Sequence, residues 1–81
     1  MRGTRANQKS AEHDRLVARL VWMRQEAHIS QRELARRLGW QHISVIRMER
    51  GERTVEVIEF VRICLMLGQD PSQILSQIYA S

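Results

Sequence analysis

Cysteine, proline and lysine each occur once, and no run of apolar residues is long. The lone Cys64 excludes an intrachain disulfide, so a reducing cytoplasmic location is the expectation. No apolar run approaches the roughly 18 residues of a membrane span. The basic opening MRGTRANQKS is not followed by the apolar segment that a secretory signal needs. No segment alternates apolar and polar residues with period two over a useful length, which argues against strands. His13, His28 and His42 are scattered, and with one cysteine they make no zinc spacing. There is no glycine-rich phosphate loop, and no nucleophile sits beside a base. These absences lead us to expect no enzyme, no cofactor, no metal, no membrane partner and no small-molecule ligand.

What is present is a short, arginine-rich chain. Its 81 residues suffice for one domain with a thin core, which leaves room for help from a dimer interface. Twelve of the thirteen basic residues are arginine. Residues 1–50 hold eleven Lys/Arg against five Asp/Glu, a balance of +6; residues 51–81 hold two against four, a balance of −2. An arginine-rich basic half points to an anionic partner, most often nucleic acid, because the guanidinium forks onto phosphates and guanine edges.

Residues 1–10 have little apolar content and read as a flexible basic arm carrying Arg2, Arg5 and Lys9, with the domain proper at 11–81. Leu16, Leu20, Met23 and Ala27 then recur at helical spacing, with Val17 and Val21 widening the stripe and Glu12 and Asp14 in the first turn. This predicts a first helix over 11–27. Ser30-Gln31-Arg32-Glu33 has the form of a capping box. The helix it opens is short, with Leu34, Ala35 and Leu38 inward and Gly39 as its stop. Trp40 is the turn. A third helix starts at Gln41 or His42 and runs to about 50, with Val45 and Met48 inward and Gly51 ending it. After a loop at 52–55, residues 56–67 make a fourth helix with Val57, Phe60, Ile63, Cys64 and Leu67 inward. Asp70-Pro71 opens a fifth helix with Ile74, Leu75 and Ile78 on its apolar side. The fold class is therefore all-α, with five helices.

The second and third helices are joined so tightly through Gly39 that one cannot continue the other. Ala35 lets their axes approach, and Leu34, Leu38, Val45 and Met48 fasten the pair to the core. The third helix is left as a protruding ridge of a size that fits a DNA major groove.

Here the chain resembles the helix–turn–helix of the phage lambda repressor/Cro-like family, also called the Xre family. The resemblance covers residues 16–75. Its pieces fall in order: Gln31, Leu34-Ala35, Leu38-Gly39, Val45, Met48-Glu49-Arg50-Gly51, and VIEFVRICLMLGQDPSQIL over 57–75. The resemblance implies that Arg24 and Glu49 form a structural salt bridge. It also implies a DNA-reading face. Gln31 would touch phosphate at a helix start, where the dipole favours anions. Gln41 would cap the third helix or bond phosphate or base. His42 would reach a purine N7 and Ile43 a thymine methyl, or Ile43 would pack on Trp40 or the arm. Ser44 would touch phosphate, and Arg47 would fork onto guanine. One or both of Arg50 and Arg53 would touch phosphates from the following loop. Arg36 and Arg37 read as a solvated face, and the arm either lies along a groove or does little.

Three positions depart from the family's pattern: Trp40 replaces a small residue, while Ile46 and Trp22 are apolar where polar residues are common. With Val17 and Val21 they raise an apolar partner surface as an alternative. The family usually dimerises on palindromic operators. With the chain ending soon after the fifth helix, Leu65, Ile74, Ile78 and Tyr79 are the candidate dimer surface, unless Ile74 and Ile78 simply cover the first helix. Cys64 reads as core. Two functions follow as expectations. The first is a small repressor or autoregulator, of phage, mobile-element or controller type, binding double-stranded DNA as a homodimer. The alternative is a protein-interaction module, such as an antitoxin or anti-activator.

Overall fold

Four of the five helices start where a side chain takes an orphan amide, and four stop where the backbone reverses. The computed structural model describes residues 10–80, so the predicted arm lies outside the described residues except for Ser10. Helix α1 (Ala11–Glu26) opens at Ser10, whose hydroxyl accepts from the His13 amide at 3.1 Å. Helix α2 (Gln31–Leu38) opens at Ser30, which accepts from the Glu33 amide at 2.9 Å. Only this half of the expected capping box forms. The Glu33 carboxylate turns to Arg36 and Arg37 instead, because two cations outcompete one neutral amide. A reach-back bond of this kind occurs at α4 (Val57–Met66), where the Glu56 amide donates to Glu59 at 3.0 Å. Helix α3 is His42–Glu49. Helix α5 (Pro71–Ala80) starts at Asp70, whose carboxylate accepts from the Ser72 amide at 2.9 Å and hydroxyl at 2.8 Å.

Four of these helices end in the same motif. After α2, the Trp40 amide bonds the Ala35 carbonyl at 2.9 Å and the Gly39 amide bonds Arg36 at 3.2 Å, while Gly39 takes φ +75°. This nested pair satisfies the last carbonyls and turns the chain sharply, and it needs a residue that tolerates positive φ. The same pattern follows α3 and α4. After α1 the left-handed position is held by His28, at φ +59°.

The core joins all five helices: Leu20 and Met23, then Leu34, Ala35 and Leu38, then Val45 and Met48, then Phe60, Ile63 and Cys64, then Ile74 and Ile78. Burial pushes the Cys64 thiol up to about 11, with the Asp70 charge adding to it, which suits an inert packing residue. Three residues expected on the apolar stripes are not in the core: Ala27, which caps α1 and is exposed, Val57 and Leu75. Val57 is 75% exposed and Leu75 is also exposed. Both line the mouth of an open groove with Leu16, Phe60 and Tyr79. Long arginines tie distant elements together. Arg15 donates to the Ile78 carbonyl at 2.8 Å, and Arg62 donates to the Leu38 carbonyl at the end of α2 at 3.0 Å. Among the described residues, no helix is long and apolar enough to cross a membrane, and no cluster of His, Cys, Asp and Glu could hold a metal.

Candidate nucleic-acid interface

Helix α3 is two turns long and buries only Val45 and Met48. A helix repeats every 3.6 residues, so the opposite stripe is Ile43, Arg47 and, just past the end, Arg50. All three are exposed. His42, Ser44 and Ile46 flank the stripe, half-buried, and Gln41 is exposed at the start. Gln41 makes no side-chain cap; only its carbonyl is used, accepting from the Ser44 amide at 3.0 Å. Gln41 is thus the N-cap of α3 through its backbone alone.

Two ionic clusters flank this stripe. In the first, Glu49 accepts from Arg24 through Nε at 2.6 Å and Nη2 at 3.1 Å, and from Gln31 at 2.8 Å. Arg24 also donates to the Ile29 carbonyl at 2.8 Å. Its carboxylate partner is 6% exposed. The expected salt bridge is thus present, and it joins α1, α2 and the end of α3. Gln31 takes part in it. Its side-chain amide donates to Glu49, which places it at the start of α2 beside the first-turn backbone amides. In the second cluster, the Arg53 guanidinium lies 4.5 Å over the Trp40 ring and donates to Glu59 at 3.0 Å. Burial pushes the Glu59 carboxyl up, but the Glu56 amide and the Arg53 guanidinium outweigh it and hold the group below the ordinary carboxylate range.

Sorting the arginines by partner separates structural from available charge. Of the ten arginines among the described residues, seven are engaged. Arg15 and Arg62 bond carbonyls, and Arg19 lies 4.9 Å over the Trp22 ring. Arg24, Arg36, Arg37 and Arg53 are in ion pairs. Arg32, Arg47 and Arg50 have no hydrogen-bond, ion-pair or ring partner among the described residues, and all three lie on or next to α2 and α3. Of the two loop arginines expected to touch phosphate, Arg50 is available. Arg53 is stacked on Trp40 and paired with Glu59, with its side chain 31% exposed. The sequence reading assigned no role to Arg32. Its signal was present: no carboxylate stands three or four residues from it, whereas Glu33 stands at those distances from Arg36 and Arg37.

The four candidate dimer residues divide. Ile74 and Ile78 are 2% and 4% exposed. They are corrected to core residues, since the chain's own packing leaves them no surface to offer a partner. Leu65 and Tyr79 are exposed.

A short glycine-stopped helix, a sharp turn and a ridge helix with unpaired arginines on its outward stripe define the helix–turn–helix class of DNA-binding protein. Comparison with known proteins agrees. The family described as "Helix-turn-helix domain" matches residues 15–75. A solved structure of an "XRE-family like protein from Pseudomonas syringae pv. tomato str. DC3000" superposes with a TM-score of 0.80 at 40% identity. The match covers 86% of this chain and 85% of that one. A search of curated proteins finds no significant match. The chain belongs to the XRE-like helix–turn–helix family, a family of DNA-binding transcription regulators that are generally not enzymes.

Proposed function

We propose that this protein is a small sequence-specific repressor or autoregulator that binds a palindromic operator as a homodimer, with α3 in the major groove. The observation that carries this reading is the pairing pattern: Arg47 and Arg50 are left without partners beside an exposed Ile43, on a helix anchored at Glu49. In this reading Arg47 forks onto guanine, and Ile43 meets a thymine methyl. His42 and Gln41 read adjacent edges, and Ser44, Arg50, Arg32 and the amides at Gln31 hold phosphates. Two copies place their α3 helices about 34 Å apart, one turn of DNA.

The test is fluorescence anisotropy on the DNA upstream of the protein's own gene, with unrelated duplex as competitor and salt as a variable. The wild type is expected to survive competitor and to weaken steadily with salt. Arg47→Ala is expected to lose about 1–3 kcal/mol of preference for the site while keeping its binding to unrelated DNA. Equal competition against both proteins would leave only a basic surface.

A second reading, a module whose main partner is a protein, has one observation in its favour. Trp22 is 43% exposed and lines a groove of ≈ 310 Å³ between α1 and α5 with Arg15, Ala18 and Arg19. The rest of the apolar surface expected for it is thinner than the sequence suggested, since Val17 is buried and Val21 and Ile46 are half-buried. Loss of cellular activity in Trp22→Ala, with Arg47→Ala unaffected, would favour this reading over the first.

A further inference from the structure

We propose that Trp40, Arg53 and Glu59 form a clamp that sets the orientation of α3, with Arg53 acting as a positioning residue and not as a phosphate contact. The proposal rests on reading α3 as the recognition helix.

The observations are topological as well as local. Trp40 stands in the turn that enters α3, and Arg53 lies in the loop that leaves it. The stack of one on the other, at 4.5 Å, closes the chain into a ring around α3. Glu59, at 3.0 Å from Arg53 Nη2, ties that ring to α4. The Arg53 Nη1 atom is buried and has no partner. The stack on Trp40 and the bond to Glu59 already engage the guanidinium, which is the arrangement of a positioning residue.

Helix α3 spans two turns; Val45 and Met48 pack it into the core, and Arg24 and Gln31 hold it at Glu49, its last residue. The clamp joins the segments that flank both ends, so it adds a constraint on the helix direction that the ionic anchor at the last residue does not supply. It also explains the choice of residues. A guanidinium is planar and can stack on an indole face while its edge forks onto a carboxylate; an ammonium is a point charge and cannot do both. The wide Trp40 side chain, which departs from the family's pattern, gives the stack its platform and packs against the core.

The test compares wild type, Arg53→Lys, Arg53→Gln, Trp40→Phe and Trp40→Leu. The probes are a duplex that the wild type selects from a random-sequence pool and a scrambled duplex of equal length and composition. Under the clamp, Arg53→Lys keeps its charge yet lowers the ratio of selected to scrambled affinity on the order of tenfold. Its affinity for scrambled DNA and its salt dependence stay at the wild-type values. Trp40→Leu does the same, adding the two changes costs no more than one, and Trp40→Phe retains most of the ratio. If Arg53→Lys instead binds like wild type, while Arg53→Gln weakens both duplexes and reduces the salt slope by about one, Arg53 is a phosphate contact and the proposal fails. Amide hydrogen exchange over residues 41–50, read without DNA, separates this failure from failure of the DNA reading. The clamp requires faster exchange there in Arg53→Lys and Trp40→Leu, and unchanged exchange overturns it whatever the DNA result. A pool with no enriched sequence overturns the recognition role of α3. Circular dichroism and melting accompany each variant; if Trp40→Leu does not fold, Arg53→Lys and Trp40→Phe carry the test.

Discussion

At position 28 the chain carries a residue that its backbone does not favour. His28 holds φ +59° after α1, in the same hydrogen-bonded motif that glycine serves after α2. A side chain in the left-handed region costs about 1–2 kcal/mol against glycine, less for residues such as histidine that visit it more often. The His28 side chain is exposed. We expect His28→Gly to raise the unfolding free energy by about 1 kcal/mol, part of it offset by the greater freedom of glycine in the unfolded chain. Urea denaturation monitored by circular dichroism checks this, and a lower midpoint would show that the imidazole makes a contact worth more than the strain. Residue-scale competition also explains Glu33. Arg36 first, and Arg37 after it, pull its carboxyl down to about 2. A folded-state value below the unfolded one means that this pairing helps above the ordinary carboxylate range and is lost as pH falls toward 2. The pairing is open to water, so its effect on stability is small.

At the scale of the element, α3 cannot hold itself. An isolated helix of eight residues is not stable in water, so its form and direction come from what grips it. The grip at Glu49 is a nearly buried carboxylate with three donor bonds from two other helices. Removing it strands the Arg24 guanidinium, at 13% exposure, without its partner. Breaking one side of such a pair costs about 3 kcal/mol or more. We therefore expect Glu49→Ala to lose about 3 kcal/mol in urea denaturation and to lose site-specific DNA binding with it. Arg36→Ala, which breaks an exposed pair within α2, should leave the midpoint unmoved. Similar shifts for the two variants would refute the ranking of the two pairs. The contrast separates arginines that shape the interface from those that merely solvate it.

At the scale of the whole molecule, the two ends of the sequence do different work. The arginines without partners among the described residues gather on α2 and α3, while the acidic half carries exposed apolar side chains, Ile58 and Leu65 on α4 and Tyr79 on α5. A domain this small gains much from covering such side chains. Under the proposed homodimer, Leu65→Ser with Tyr79→Ser leaves the melting curve of dilute protein close to wild type but shifts sedimentation at higher concentration toward the monomer. Ile78→Ser should instead cost about 2–5 kcal/mol and compromise folding, because that side chain belongs to the core. If the double variant associates as the wild type does, the dimer surface lies elsewhere.

The sequence by itself determined the features that neighbours within a turn or two decide. Five helices, the Ser30 and Asp70-Pro71 starts, the glycine stop at 39, the core stripe of Leu20, Leu34, Val45 and Ile63, and the family with its Arg24–Glu49 pair were all legible. Caps and helical periods act over three or four residues, and the family pattern supplied the one long-range pair. Only the tertiary structure decided the outcomes of competition between distant groups. Phe60 stays inside while Val57 one turn earlier does not, because no other described element covers the groove mouth there. Ile78 is covered by the chain itself and Tyr79 beside it is not. Arg53 is held by Trp40 and Glu59 while Arg50, three residues before it, stays unpaired. A guanidinium reaches several ångströms in any direction, and its partner depends on which elements the fold brings within that reach. Local spacing cannot specify that, so the basic face could be foreseen from the sequence but its available arginines could not.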